Sequence, residues 1–212
     1  MGAAWDPRFA ERDPVFAPIA PLAALFTSFE TFPEPETIDA ALSARAGVRF
    51  QRQAPRPRSR RRRTKPPEPL YDARIVEEGV VPTRNGSWHD LLNALVWATF
   101  PRAKRALHTR QHAIVIPSAP TRTREGDTLA LLDEGGVLAS EGAQVVFGHA
   151  IYESFVEGWL PVWGSMLGLA SGPSIEERDV ALSEALVDPG RLVQPQELER
   201  TWLTRRVANP SP

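Results

Sequence analysis

His89 and His149 each lie four positions before a polar side chain that can act with them at one site. His89 precedes Asn93, and His149 precedes Glu153. Side chains four positions apart lie one above the other on the same face of an α-helix. The His-x-x-x-Glu spacing at 149–153 therefore presents an imidazole and a carboxylate toward one point, where both can bind the same metal ion.

These side chains predict a divalent metal site. Neutral imidazoles and carboxylates are ordinary ligands of zinc, manganese and iron. The predicted metal ligands are His89, His149, Glu153 and Asp133, with Asp90 and Glu134 as alternatives for completing the set. A metal-bound water would be the nucleophile, and a free carboxylate or histidine would be its general base. The predicted catalytic residues are His89, Asp90, Asn93 and Arg84.

A run of cations lies between residues 52 and 65, where eight arginines and lysines occur without an acidic residue. Together with Arg84, these cations favour a phosphoester, including nucleic acid, as the substrate of a metal-dependent hydrolase. The arginines predicted to contact nucleic acid or another acidic partner are Arg58, Arg60, Arg61, Arg62 and Arg63. The same composition is also typical of a solvated segment that attracts any polyanion weakly, so both interpretations stay open.

A non-catalytic binding or scaffold protein is the alternative to an enzyme. Asp90 then caps a helix, while His89 and Asn93 fasten that helix as buried, hydrogen-bonded polar residues. His149 is then a core histidine with satisfied hydrogen bonds, and Asp133 occupies a turn. Polar networks of this kind fix a fold without chemistry, so the sequence leaves the question of enzymatic activity open.

The helix that carries His89 has the clearest boundaries. Ser87 is typical of an N-cap residue, with the Asp90 carboxylate three positions later, and apolar residues then recur at helical spacing. We predict a helix over residues 88–99. Pro101 suits the first turn of a second helix, over residues 102–111.

The remaining elements are predicted from shorter patterns. Residues 128–132 and 137–140 are apolar and flank Asp-Glu-Gly-Gly, which is typical of a β-hairpin. Further strands are predicted at 47–51 and 71–76. Helices are predicted at 36–45, 148–156, 161–169, 174–186 and 196–205.

Several of these segments resemble one known family. They are Tyr-Asp-Ala-Arg-Ile at 71–75, Val-Pro-Thr-Arg at 81–84, the long block at 87–97, the motif at 100–104, Leu-Leu-Asp-Glu-Gly-Gly at 131–136 and Phe-Gly-His-Ala-Ile-Tyr-Glu at 147–153. Together they resemble the bacterial domain-of-unknown-function family 3025, in outline over roughly residues 5–187. The family carries no established activity, so the resemblance implies kinship and the place of a site, without a reaction.

The composition of the chain and the motifs that it lacks exclude several classes of protein. The chain has no cysteine, which excludes disulfides and thiolate chemistry. It has no apolar run near the roughly 20 residues that a membrane span requires, and its first residues lack the pattern of a signal peptide. We therefore expect a cytoplasmic protein without a membrane partner. Phosphate-binding loops, dinucleotide-binding glycine motifs and serine-hydrolase elbows are absent from the sequence.

The patterns together predict an α+β fold, mostly helical, with one domain and a small β-hairpin or sheet. The predicted parts are an N-terminal arm with short helices (1–51), an arginine- and proline-rich loop without apolar periodicity that is expected to be disordered (52–69), the core (70–187) and a C-terminal tail (188–212). We expect Arg84, His89, Asn93, Asp133 and His149 to converge in one pocket of the core.

Overall fold

The computed structural model describes residues 2–53, 71–114, 123–140 and 143–205. The predicted partner-binding arginines lie outside these ranges; they are Arg58, Arg60, Arg61, Arg62 and Arg63. No helix in the described ranges is long and apolar enough to cross a membrane.

Helices make up most of the described chain. They are α1 (Ala20–Ala23), α2 (Pro35–Ala46), α3 (Tyr71–Glu78), α4 (Trp88–Thr99), α5 (Pro101–Ile114), α6 (Arg124–Gly135), α7 (His149–Glu157) and α8 (Ile175–Val187). Short 3-10 turns at Phe9–Glu11, Pro14–Phe16, Ala24–Phe26 and Pro195–Glu197 complete the helical part. The predicted mostly helical α+β fold is confirmed.

Two small sheets accompany the helices. The strands are β1 (Arg49–Arg52), β2 (Val80–Thr83), β3 (Gly136–Ser140), β4 (Ala143–Val146), β5 (Val162–Gly168) and β6 (Glu199–Leu203). β1 and β2 pair in parallel, while the second sheet has the order β4-β3-β5-β6. In that sheet β3 and β5 are parallel, and β4 and β6 are antiparallel edge strands.

Helix α4 lies at the centre of the core. Ten of its twelve residues are buried, and they include Leu91, Leu95 and Trp97. As predicted, the helix begins after Ser87, whose hydroxyl accepts a hydrogen bond from the Asp90 amide at 3.3 Å. A helix that is apolar on nearly every face must be covered on every face, and α2, α5 and α7 pack around it.

The N-terminal arm covers the start of α4. Trp5 stacks on Trp88 with ring centroids 5.1 Å apart, and Phe9 meets the same ring edge-on at 5.1 Å. The Trp88 indole donates a hydrogen bond to the Ala3 carbonyl at 2.9 Å. The arm therefore fixes the first turn of α4, which carries His89.

The predicted hairpin over residues 128–140 is wrong. Thr123 caps a helix by accepting a hydrogen bond from the Gly126 amide at 3.0 Å, and α6 continues through Gly135 directly into β3. Leu129 and Leu132 are three positions apart and both buried, so the first apolar run is one face of a helix. Asp133 and Glu134 accordingly lie in the last turn of α6.

Three further predicted elements have the wrong type. Residues 71–76 begin α3, residues 161–169 contain β5, and residues 196–205 contain β6. These two segments form strands because they pair with each other across a long stretch of chain. Each residue of Val162–Met166 is opposite one of Glu199–Leu203. Short apolar runs are compatible with either structure until such a partner is known.

Candidate functional site

A cavity of about 360 Å³ lies where α3, α4, α5, α6 and α7 meet. The structure brings all five residues that were expected to converge to its lining; they are Arg84, His89, Asn93, Asp133 and His149. Its acidic lining residues are Asp72, Asp90, Asp133 and Glu134. Arg84 is the one arginine or lysine among the described residues that line it. Carboxylates therefore outnumber basic side chains in the cavity lining, and Asp90 and Asp133 each already bind a cation.

Two histidines face each other across the cavity wall. The Nε2 atoms of His89 and His149 are 3.0 Å apart, and the rings meet edge-on. His149 Nδ1 lies 3.0 Å from the Asp133 carbonyl oxygen, and His89 Nδ1 lies 2.9 Å from a Glu153 carboxylate oxygen. A carbonyl and a carboxylate oxygen only accept hydrogen bonds, so both Nδ1 atoms carry a proton and donate it.

The two facing Nε2 atoms therefore need a positive charge between them. Burial lowers the pKa of His149 to about 3, so this imidazole is neutral and its Nε2 is a lone pair. The hydrogen bond to Glu153 raises the pKa of His89. Two bare lone pairs 3.0 Å apart repel, and either a proton on His89 Nε2 or a metal ion removes that repulsion.

Glu134 completes a set of three metal-ligand side chains. A carboxylate oxygen lies 3.4 Å from His149 Nε2, and the ligand atoms of His89, Glu134 and His149 all lie within 4.8 Å of one another. Two zinc–nitrogen bonds of about 2.0–2.1 Å at a tetrahedral angle separate the nitrogens by about 3.3 Å. The observed separation of 3.0 Å is close to that value.

The predicted ligands Asp133 and Glu153 are not members of the cluster of three ligand side chains; each instead contacts one of its histidines. The Asp133 carboxylate binds the Lys104 ammonium at 2.5 Å, and only its backbone carbonyl meets His149. Glu153 binds the ring edge of His89 that points away from His149. Both residues orient the histidines, as outer partners of metal ligands commonly do.

The predicted catalytic residues Arg84 and Asp90 bind each other. The guanidinium meets both carboxylate oxygens at 2.8 and 2.9 Å, and the Arg84 amide adds a third hydrogen bond at 2.6 Å. The Asp90 hydrogen bond raises the pKa of Arg84, and the pair is bidentate. Asp90 therefore neutralises the charge of Arg84 in the cavity wall.

Asn93 lies deeper in the cavity. Its amide nitrogen donates to the Tyr71 hydroxyl at 3.0 Å, and its Oδ1 atom is buried without a hydrogen-bond partner in the described part of the chain. Tyr71 is 40% exposed as a whole, but burial of its hydroxyl raises its pKa, and the nearby Asp133 carboxylate raises it further. The Tyr71 hydroxyl therefore stays protonated.

Close packing between two glycines sets the position of His149. The Phe147 and Gly148 amides both donate to the Gly136 carbonyl at 2.9 Å. A β-carbon on Gly148 would lie 2.3 Å from the Gly136 nitrogen and 2.5 Å from the Glu134 carbonyl oxygen. Only glycine permits this approach, which brings the start of α7 against the end of α6.

Sequence reasoning left two cavity residues without a role. Asp72 and His108, which also line the cavity, form a hydrogen bond of 2.8 Å. The residues at 71–76 were expected in a strand, so nothing in the sequence indicated that Asp72 would meet a histidine of α5. The four-residue spacing of Lys104 and His108 was the available signal, and both side chains are buried.

A larger groove of about 920 Å³ adjoins the cavity and shares Glu134 with it. Leu131 and Trp163 line the groove and are each 44% exposed. The Glu134 side chain is 53% exposed, so it lies at the open side of the three-ligand cluster.

Comparison with known proteins identifies one family. The model of the family described as "Protein of unknown function (DUF3025)" matches residues 60–145. This segment contains His89 and Glu134 but ends before His149. No curated protein and no solved structure matches the chain.

Proposed function

We propose, from its side chains, that this chain, whose residues 60–145 match the model of the DUF3025 family, is a metal-dependent hydrolase; that family is described without an activity. His89, Glu134 and His149 bind one divalent ion, for which zinc, manganese and iron are the candidates. One observation carries the proposal: two imidazole Nε2 atoms lie 3.0 Å apart while both Nδ1 atoms donate to protein oxygens.

The hydrogen bonds around the two histidines support this proposal. Glu153 and the Asp133 carbonyl fix both histidine rings with Nε2 toward the same point, which is the usual preparation of metal-ligating histidines. Two histidines and one glutamate are also a common ligand set of catalytic zinc, which keeps one position open for water. The exposed side of Glu134 leaves room for that position.

The bound ion would supply a nucleophile. Held by His89, Glu134 and His149, it would lower the pKa of a bound water and so activate that water toward an ester, amide or phosphoester bond. The prediction of a phosphoester substrate depended on Arg84 and on residues 52–65. Arg84 is balanced by Asp90, and the predicted arginines lie outside the described residues, so the phosphoester and the acidic partner stay predictions. The cytoplasmic location and the bacterial origin also stay predictions.

Metal content tests the proposal directly. We expect untagged protein, purified without chelator, to contain near-stoichiometric zinc, manganese or iron by plasma mass spectrometry. His89→Ala and His149→Ala should each lose it, because either change removes one of three ligands. His112→Ala is the matched control, since His112 lies near the end of α5, where it pairs with Glu77 at 3.3 Å.

A metal-free protein that remains folded and does not bind added zinc would refute the proposal. The same conclusion follows if His89→Ala and His149→Ala retain as much metal as His112→Ala. The polar network would then be structural, as in the scaffold alternative.

Glu153→Gln tests whether Glu153 supports metal binding by orienting the His89 ring. The amide can present an N–H to His89 Nδ1, which removes the carboxylate that orients the ring. We expect metal affinity to fall about 10–100-fold, the usual effect of losing such a partner. Competition with a fluorescent zinc chelator measures the change. Glu176→Gln, the same substitution at an exposed position of α8, should leave the affinity unchanged.

A further inference from the structure

A second histidine–carboxylate pair lies in the wall of the same cavity. His108 Nδ1 and an Asp72 carboxylate oxygen are 2.8 Å apart, and both residues line the cavity with His89, Glu134 and His149. The carboxylate accepts a hydrogen bond from His108 Nδ1–H, so the lone pair of the neutral ring is on Nε2. This Nε2 atom is buried without a hydrogen-bond partner in the described part of the chain.

The ring of His108 is held on two faces. It stacks on Trp97 with centroids 5.2 Å apart and an interplanar angle of 7°, and Tyr71 meets it edge-on at 5.7 Å. The His108 side chain is only 2% exposed. Packing and the Asp72 hydrogen bond therefore fix both the orientation and the tautomer.

A purely structural histidine does not account for this arrangement. Burying an acceptor without a partner is unfavourable, and native structures largely avoid it. The same cavity also holds the unpartnered Oδ1 atom of Asn93. Two unsatisfied buried acceptors in the wall of one cavity indicate that a ligand with hydrogen-bond donors satisfies them.

We propose that Asp72 and His108 are the proton-transfer pair of the hydrolase. The inference rests on the proposed function and adds a catalytic residue to it. In the first step an O–H bond of the attacking water breaks, its proton goes to His108 Nε2, and the oxygen electron pair forms the new bond to the carbonyl carbon or phosphorus. In the second step the imidazolium returns this proton to the leaving oxygen or nitrogen as its bond breaks.

Asp72 is a positioning residue in this scheme. It holds the tautomer that exposes Nε2, and its negative charge stabilises the imidazolium that forms. The other charged groups around His108 are the Asp133 carboxylate of α6 and the Lys104 ammonium of its own helix, which bind each other. The imidazolium therefore has Asp72 as its direct counter-ion.

Kinetics of zinc-loaded protein test the pair. The substrates are bis(p-nitrophenyl) phosphate, p-nitrophenyl acetate and leucine p-nitroanilide, which offer a phosphodiester, an ester and an amide. We expect His108→Gln to lower kcat about 100- to 10,000-fold with little change in KM, to retain zinc, and to lose one limb of the pH–rate profile. His112→Gln, the same substitution one turn later on α5, should behave as the unchanged protein.

The outcomes separate this inference from the proposed function. Zinc-loaded protein that hydrolyses none of the three substrates overturns both. If the unchanged protein is active and His108→Gln matches it in rate and pH profile, the hydrolase stands and the proton-transfer pair is wrong.

A folding defect in His108→Gln would also lower activity, so a second variant and a spectroscopic measurement test the pair independently. Side-chain ¹⁵N spectra should show His108 protonated on Nδ1 and bare on Nε2, and Asp72→Asn should disturb this tautomer and shift the pH profile. A proton on Nε2 in the unchanged protein, or an Asp72→Asn variant with an unaltered profile, overturns the proposal.

Discussion

Lys104→Met should lower the free energy of unfolding at neutral pH by about 3–5 kcal/mol. The Lys104 side chain is completely buried, and its ammonium binds the Asp133 carboxylate at 2.5 Å. The Trp97 ring centroid lies 5.6 Å from the same ammonium. Methionine fills much of the space but leaves the Asp133 carboxylate without its counter-ion, and a buried unpaired charge is strongly unfavourable. Urea unfolding at neutral pH measures the loss.

The loss should shrink in acid, for a reason that depends on the sign of the Asp133 pKa shift. Burial alone raises the pKa of Asp133, but the Lys104 ammonium holds it well below its ordinary value. In the unchanged protein the ionised carboxylate therefore adds stability above its unfolded pKa, and this stability is lost as the pH falls. In the variant, burial dominates and the folded pKa rises above the unfolded one. Protonation then stabilises the variant, so the two proteins should converge toward pH 4.

Two further variants identify the cause of the loss. Arg102→Met removes an exposed cation from the same helix and should change the stability by no more than about 0.5 kcal/mol. The double variant Lys104→Met with Asp133→Leu removes both charges and should recover most of the loss. A double variant that remains as unstable as Lys104→Met would show that packing, rather than the unpaired charge, is responsible.

Gly148→Ala should destabilise the protein by about 3 kcal/mol or more and abolish metal binding. The backbone angles at Gly148 suit any residue, so the requirement is space: a β-carbon would meet three backbone atoms of Gly136 and Glu134 at 2.3–2.6 Å. Backbone atoms of a helix end and a strand start cannot rotate away as a flexible side chain can. The start of α7 must therefore move, and His149 moves with it relative to Glu134.

Gly168→Ala is the matched control for this prediction. Nothing lies within 4 Å of a β-carbon built on Gly168, which ends β5. Thermal unfolding and zinc titration of both variants give the comparison. Equal behaviour of Gly148→Ala and Gly168→Ala would mean that the contact between α6 and α7 is looser than described above.

Sequence patterns within short segments correctly predicted the two helices that carry most of the site. Ser87, Asp90 and the apolar spacing that follows indicated α4 correctly, because an N-cap and a buried face are properties of a few neighbouring residues. The type and approximate place of α7 were also predicted correctly. These two helices carry His89, His149 and Glu153.

Contacts between distant segments account for what the sequence did not predict. Glu134 was expected in a hairpin turn, since two glycines follow it, yet the turn signal marks the passage from α6 to β3. Asp133 and Glu134 are neighbours and chemically alike, but one pairs with Lys104 from α5 and the other turns toward His149. No pattern within a single helix distinguishes them, because the difference arises from the helices packed against each.

The contact between Gly136 and Gly148 also provides a fingerprint for recognising this arrangement in other proteins. Glu-Gly-Gly at 134–136 and Gly-His at 148–149 are short enough to find by eye, and each glycine is required for space rather than for flexibility. A homologue that keeps the histidines but carries a larger residue in place of Gly148 cannot bring the two helices together in this way. Gly136 lies within residues 60–145, which match the family model, and Gly148 lies just beyond them.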